Sequence, residues 1–407
     1  MYLKGSNWKV TRKKPRRSRP WYVFFFLLLI GAALYVNQKI VPVTPPLFIP
    51  TPTATRSPES FLSEAEALYK AGKLQAAIQA YQQAILADPS NPNLYVDLAR
   101  VQVFSGEYEA ALTSADNALL LNPNLGMAHA VRGWALDFMG DFLAASAAIE
   151  RALEFDPDNP IIHAYYAEVL ADSGDYIKAG DESRLALELG PNLLETRRAR
   201  GYVLWLTANY EEAIIEYKAA LAINNKISDL HMALGYNYLA LGDYEGAVTT
   251  FLDATALNPD DPKPVTEISR TYAIEGQFGK AVQYAQQALK SQPTNPRLHG
   301  NLGVMLYKNN QLIEALQHLS LAIQGGTTED GQVVNGVPLD YGRVAEYYFT
   351  YGLALAKTNQ CGLALPIFQA ILAIVPDDEI ATYNANEGLR ICQESLTSTP
   401  TTGTPVP

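Results

Sequence analysis

Acidic residues are missing from the first 58 positions, and cysteine is scarce throughout the 407-residue chain. Two cysteines are too few for a disulfide-stabilised scaffold or a cysteine-rich zinc protein. The first 58 residues carry ten lysines and arginines, so the rest of the chain carries 21 basic residues against all 42 acidic ones. A body this acidic repels phosphate backbones, and we therefore expect no binding to nucleic acid.

Motifs that carry common enzyme chemistry are also missing. The sequence has no G-x-S-x-G, no H-E-x-x-H and no phosphate loop of the GxxxxGK[ST] type. We therefore expect no enzyme, no cofactor and no metal site. Because 48% of the residues are hydrophobic, the chain is not disordered as a whole.

One long apolar run follows the basic N-terminal arm of residues 1–20. Residues 21–38 contain WYVFFFLLLIGAALYV and no charge, which is long enough for a transmembrane signal-anchor helix in a lipid bilayer. A cleaved signal peptide is the alternative. The excess of basic residues on one side predicts a cytoplasmic N-terminus and an extracytoplasmic body, as in a single-pass membrane protein.

Two segments have the composition of linkers. Residues 41–58 contain six prolines, and residues 396–407 are rich in threonine and proline. Neither segment can bury enough apolar surface to fold, so we expect an extended linker and a disordered tail.

Between these segments, turn residues recur every 34 positions, as at Gly72, Gly106, Gly140 and Gly174. Alanine occupies position 20 of every unit, and proline usually closes the unit. This pattern predicts two helices per unit that must stack on neighbouring units to bury their apolar faces. The units start near residues 58, 92, 126, 160, 194, 228, 262, 296 and 345.

The pattern resembles the tetratricopeptide repeat family, as FLSEAEALYKAGKLQAAIQAYQQAILADP shows. The resemblance covers residues 59–395. It implies an all-α, right-handed superhelical solenoid of about nine helix hairpins, with the first helices lining a concave groove. Residues 379–395 are expected to form a capping helix. Residues 325–342 interrupt the period, and Asn335-Gly336 within them predicts a tight hairpin turn. This insertion is either a partner contact or a decoration.

Aromatic and arginine residues concentrate on the face that the resemblance assigns to the groove, and these types often dominate binding energy. The alternative is that some of them only pack between units. The predicted groove residues are Trp134, Phe138, Arg197, Arg198, Tyr202, Trp205, Tyr236 and Leu239. Asparagine is missing from position 9 of every unit, so binding of an acidic chaperone tail is not implied.

The two cysteines occupy adjacent helices of the last units. Cys361 begins a second helix and Cys392 falls late in the capping element. Because adjacent helices run antiparallel, both residues are expected at the same end of the stack. They are either bonded to each other or are two buried free thiols.

These features predict a membrane-anchored scaffold that binds a protein or peptide in its groove and assembles an envelope or extracytoplasmic complex. The alternative is an accessory module that binds carbohydrate or an envelope polymer, with aromatic side chains stacking on sugar rings. The sequence does not predict an oligomeric state.

Overall fold

A computed structural model describes residues 20–40 and 56–397, within two compact units of Met1–Ser57 and Pro58–Pro407. In the first unit, helix α1 (Pro20–Tyr35) continues into a π-helical segment, Val36–Ile40. The predicted basic arm, most of the proline-rich linker and nearly all of the threonine-rich tail lie outside the described residues.

Helix α1 and its extension form an apolar helix of 20 residues, Pro20–Lys39, with no buried residue. Such a helix measures about 30 Å, which matches the hydrocarbon thickness of a bilayer. By length and composition, the N-terminal region therefore contains one helix that is able to span a membrane.

The second unit is a row of helix hairpins, as the 34-residue period predicts. In its described part the first helices are α2 (Pro58–Lys70), α4 (Pro92–Phe104), α6 (Gly126–Phe138), α8 (Pro160–Asp172), α10 (Leu194–Leu206), α12 (Ser228–Ala240), α14 (Pro262–Ile274), α16 (Pro296–Lys308) and α18 (Arg343–Lys357). The second helices are α3 (Leu74–Ala87), α5 (Tyr108–Leu121), α7 (Phe142–Phe155), α9 (Tyr176–Leu189), α11 (Tyr210–Ile223), α13 (Tyr244–Leu257), α15 (Phe278–Ser291), α17 (Leu312–Gln324) and α19 (Cys361–Ile374). Each helix packs on its hairpin partner, and several first helices also contact the next first helix.

The hairpin turn requires a left-handed residue, and the sequence places glycine there in most units. Gly72 has φ 73° and Gly106 has φ 77°, which cost little without a Cβ atom. The same position holds Ala208, Asn310 and Asn359 at φ near 60°. Since an L side chain at this φ is strained, Ala208 holds its turn at some cost in stability.

The insertion between α17 and α18 forms a short hairpin, although not where Asn335-Gly336 predicts it. Strand β1 (Gly326–Thr327) pairs antiparallel with β2 (Val333–Val334), so the chain turns between the strands and before Asn335. Gly336 instead lies against the end of α17, where a Cβ atom would be 2.3 Å from the carbonyl oxygen of Ile323. The predicted Asn-Gly hairpin is therefore wrong, because this glycine serves a close backbone approach.

Helix α20 (Glu379–Thr397) covers the last hairpin and packs on α18 and α19. Cys361 and Cys392 form a disulfide there, with their Cα atoms 5.5 Å apart. Of the two alternatives that the sequence left open, the structure contains the bonded one. The bond links the start of α19 to a fully buried position in the final helix.

Candidate functional site

The first helices of units two to five do not enclose an open groove over their whole length. Arg100 on α4 forms an ion pair with Glu195 on α10, 95 residues further along the chain. The turn at Gly72 approaches the segment after α11, so closely that a Cβ atom there would lie 2.3 Å from the carbonyl oxygen of Lys226. The array therefore curves until distant units meet.

We call the surface formed by Arg100, Phe104, Trp134, Tyr165, Glu168 and Arg198 the inner face. Its centre is a group of aromatic rings in which Tyr165 stacks on Trp134 and Phe104 meets Trp134 edge-on. The Trp134 ring lies 4.3 Å from the Tyr165 ring and 5.1 Å from the Phe104 ring, and Trp134 and Tyr165 are fully buried. The Arg198 guanidinium lies 4.5 Å from the Trp134 ring centre. Such contacts add to the stability that burial of aromatic area provides.

Glu168 connects the ring stack to the arginine. Its Oε2 atom accepts hydrogen bonds from Trp134 Nε1 at 2.9 Å and from Arg198 Nη2 at 2.5 Å. Burial raises the pKa of Glu168 to about 7, although Arg198 and the indole N–H favour the ionised form. Trp134 and Arg198, both predicted for the groove, thus close the inner face with their side chains.

Arg197 lies away from the inner face, which corrects its assignment to the groove. Its Nε donates to the carbonyl oxygen of Pro191 at 2.8 Å and its Nη1 to Glu216 Oε2 on α11 at 2.6 Å. His163 makes the equivalent pair of contacts one unit earlier. The fourth residue of these units therefore joins the preceding loop to the second helix.

Beside the closed region lies a cavity of about 230 Å³, which we call the acidic pocket. It is lined by residues of the inner face and of units three to six, among them Asp137, Phe138, Asp172, Tyr202, Tyr217 and Asp229. Asp137 is buried, whereas Asp172 and Asp229 are exposed at the rim. Phe138 is 46% exposed, and its ring stacks on Tyr108 with centroids 4.8 Å apart.

A second cavity of about 230 Å³, the aromatic pocket, adjoins the first and shares Tyr202, Tyr217 and Asp229 with it. Trp205 and Tyr236 complete its aromatic wall. The Tyr202 and Trp205 rings lie 6.0 Å apart in a stacked arrangement. Of the predicted groove residues, five therefore line one or both pockets: Phe138, Arg198, Tyr202, Trp205 and Tyr236. Leu239 packs on the cluster around Phe251 instead.

The carboxylates of the acidic pocket interact unfavourably with one another. Burial and the charges of Asp172 and Glu168 raise the pKa of Asp137 to about 9. The Tyr202 hydroxyl donates a hydrogen bond to Asp172 Oδ1. Asp137 Oδ1 is buried without a hydrogen-bond partner among the described residues. Arg198 Nε is also without a partner there, but the charge of Arg198 is matched by Glu168.

The acidic members of this site were not among the predicted groove residues. Asp137 and Asp172 occupy late positions of first helices, on the face where only aromatic and basic residues were taken to signal binding. Tyr217 comes from a second helix, which no groove pattern includes. In residues 20–40 and 56–397, no three or more potential metal ligands form a cluster.

The fold and the site define a helical repeat solenoid with binding surfaces on its inner side. Models of the tetratricopeptide repeat match residues 68–134, 130–193, 199–227, 228–261, 265–295 and 284–317. The chain belongs to the tetratricopeptide repeat family. Repeats of this family serve as protein-interaction scaffolds and are generally non-catalytic.

Three solved structures are similar to parts of this chain. The human IFIT1 dimer with PPP-AAAA is 18% identical with a TM-score of 0.54, over 83% of this chain and 82% of that chain. The APC/C hetero-tetramer Cut9-Hcn1 is 16% identical with a TM-score of 0.49, over 70% of this chain and 53% of that chain. MamA is 22% identical with a TM-score of 0.35, over 38% of this chain and 91% of that chain. The likeness to IFIT1 shows the fold alone. A comparison with curated proteins found no match.

Proposed function

We propose that the protein is a membrane-anchored scaffold that binds a peptide segment of a partner protein at the acidic and aromatic pockets. The main support for this proposal is that aromatic side chains line two adjoining cavities. The inner face beside these cavities is filled by its own side chains. Partly exposed tyrosine and tryptophan side chains offer large contact area at a low cost in conformational entropy. The partner would therefore contact units three to six rather than the whole length of the array.

The proposed anchor is the helix Pro20–Lys39, which would hold the body on the membrane. The basic residues before this helix favour a cytoplasmic N-terminus and an extracytoplasmic body. The proline-rich segment 41–58 would act as the spacer between membrane and body. In this arrangement the scaffold assembles an envelope or extracytoplasmic complex, since tethering raises the local concentration of partners on the same membrane.

Site-specific photo-crosslinking in intact membranes tests this function. A photoreactive amino acid at Trp205 lies in the aromatic pocket and should capture a partner, which mass spectrometry then identifies. The matched control is the same amino acid at Ile177, which is 82% exposed on second helix α9. A product at Trp205 that is missing at Ile177 supports the proposal. Equal products at both positions, or no product at either, would contradict it.

The carbohydrate alternative is separated by digesting the partner pool before it is mixed with the scaffold and crosslinked. Protease should abolish capture of a peptide partner, whereas a glycosidase should abolish capture of a glycan. A product that still forms after protease treatment of the pool and is lost after glycosidase treatment would replace the peptide-binding proposal by the carbohydrate one.

Orientation is tested by adding protease to intact and to lysed cells. If the body is extracytoplasmic and accessible, it is degraded before lysis while a cytoplasmic control protein survives. A body that resists protease until the cells are lysed would place it in the cytoplasm.

A further inference from the structure

We propose that the acidic pocket binds the side chain of a lysine or arginine in the partner peptide, while the aromatic pocket takes a neighbouring apolar side chain. This inference rests on the proposed function and adds the chemistry of the partner to it. It is carried by the charge, the hydrogen bonding and the shape of the two cavities.

The acidic pocket carries an excess of negative charge. Four carboxyl groups and one guanidinium line it, namely Asp137, Glu168, Asp172, Asp229 and Arg198. Glu168 neutralises the charge of Arg198, because the two side chains form an ion pair at 2.5 Å. Over residues 20–40 and 56–397, no lysine, arginine or histidine nitrogen lies within ion-pair distance of the three aspartates. A cation from outside would therefore meet three carboxyl groups that form no ion pair among the described residues.

Asp137 marks the point where the cation would sit. Its side chain lines the cavity, is 4% exposed and has an oxygen atom without a hydrogen-bond partner among the described residues. A buried acceptor left unpaired is costly. The N–H groups of an ammonium or guanidinium would satisfy this oxygen and Asp172 together, since both kinds of cation carry several donors.

The walls of the pocket suit an organic cation. Phe138 and Tyr202 present aromatic rings beside the carboxylates, and ring faces attract ammonium and guanidinium groups. The methylene groups of a lysine or arginine would pack on the same rings. Because the aromatic pocket adjoins through Tyr202 and Tyr217, a neighbouring apolar residue of the same peptide would reach Trp205 and Tyr236.

Binding of a cation should also release the proton of Asp137 to solvent. Asp137 holds its proton in the free protein because burial, Asp172 and Glu168 raise its pKa. An ammonium or guanidinium reverses this effect, so Asp137 ionises and releases its proton to solvent as the cation binds. The other titratable or charged groups that face the cavity are Asp172, Glu168, Asp229, Tyr202, Tyr217 and Arg198.

The test uses the full-length protein in phospholipid nanodiscs and libraries of capped hexapeptides. One position of each library is fixed as arginine, lysine, citrulline, norleucine or glutamate, and bound peptides are counted by mass spectrometry. Arginine or lysine should be enriched at least about tenfold over citrulline and norleucine, since bonds to charged groups are the stronger ones. Equal binding of arginine and citrulline peptides would overturn the proposal.

Matched variants assign the preference to the pocket. Asp137→Asn and Asp172→Asn should remove it, while Asp260→Asn, at an exposed carboxylate outside both pockets, should leave it intact. Circular dichroism checks that each variant is folded. A loss of preference in Asp260→Asn as large as in Asp137→Asn would overturn the assignment.

Calorimetry in buffers of different ionisation enthalpy measures how many protons are released when the peptide binds. At pH 7 the selected arginine peptide should release close to one proton from Asp137 per peptide bound, and Asp137→Asn should release only the smaller fraction that comes from Glu168, whose pKa is about 7. Release of less than about a tenth of a proton would overturn the role of Asp137.

Two further results distinguish failure of this inference from failure of the proposed function. Peptides that bind through Trp205 without preference for a cation would overturn the inference and keep the scaffold function. Binding of Ca²⁺ that Asp137→Asn abolishes, with no peptide bound and no crosslink at Trp205, would overturn both.

Discussion

Replacing Asp137 by asparagine should stabilise the free protein, and more so as the pH rises. The reason lies in the buried carboxyl group, whose pKa is raised to about 9 from an ordinary value of 3.8. A raised carboxyl pKa means that the folded state binds the proton more tightly than the unfolded state does. The contribution to stability is therefore complete below pH 3.8 and is lost progressively up to pH 9.

The magnitude follows from the gap between the ordinary pKa and the working pH. At pH 7 the unfolded chain has ionised Asp137 while the folded chain has not, which costs about 4 kcal/mol at roughly 1.4 kcal/mol per pKa unit. Asparagine does not titrate, keeps the shape of a protonated carboxyl group and offers an N–H to Asp172. We expect Asp137→Asn to be more stable by about 2–4 kcal/mol at pH 7 and by close to zero near pH 4.

Urea unfolding followed by circular dichroism at pH 4, 7 and 9 measures this difference. The comparison with wild-type protein removes the effect of other titrating groups, such as Glu168, because they are common to both chains. Asp260→Asn is the control and should follow wild type at every pH. A difference in urea midpoint that is the same at pH 4 and pH 9, or a destabilised Asp137→Asn at pH 7, would refute the reasoning.

The other predictions concern the turn, the ring stack and the histidine pair. Ala208→Gly should stabilise the protein by about 0.5–1 kcal/mol in urea unfolding, because Ala208 has φ 60°; a destabilised variant would contradict the strain. Trp134→Ala should lower the free energy of unfolding by about 3–5 kcal/mol, since Trp134 is fully buried. If stability is unchanged and partner binding is weaker, Trp134 lies in an open groove and contacts the partner. His318 faces His299 with their Nδ1 atoms 2.9 Å apart, and burial followed by the charge of His299 lowers the pKa of His318 to about 4. The unfolded chain then binds the proton more tightly, so stability should fall as the pH drops from 6.5 towards 4, and His318→Asn should flatten that fall in urea midpoints. If stability depends on pH in His318→Asn as it does in the wild-type protein, His318 is not the cause of the fall.

The unfavourable burial of Asp137 and its proposed attraction to a cation have one physical origin. Asp137 is unfavourable in the free protein because it is buried beside Asp172 without a cation. The same burial would strengthen its attraction to a cation, since the local dielectric constant is low. A binding site that retains such a group gives up stability for affinity, and the two measurements on Asp137→Asn should therefore change in opposite directions.

The alternatives that the sequence left open were decided by long-range packing. The disulfide between Cys361 and Cys392 depends on how α20 settles on α18 and α19, which helix periodicity alone does not define. The Asn335-Gly336 hairpin failed for a related reason, because the glycine satisfies a contact with the end of α17 rather than a local turn. Arg197 was misplaced because neighbouring residues of a helix point to different faces, and its partners Pro191 and Glu216 lie on the other side.

By itself, the sequence determined the hairpins, their turns and the apolar helix near the N-terminus. These features depend on contacts within one unit of 34 residues or on the length of one apolar run, so the local pattern of Gly, Ala and Pro is sufficient. Only the tertiary structure decided that the inner face closes and leaves two pockets beside it. Closure depends on a small rotation repeated from unit to unit, which brings Arg100 to Glu195 across 95 residues. The sequence of a single unit does not define the total rotation over several units. The acidic pocket exists only where the curvature of the array brings its walls together.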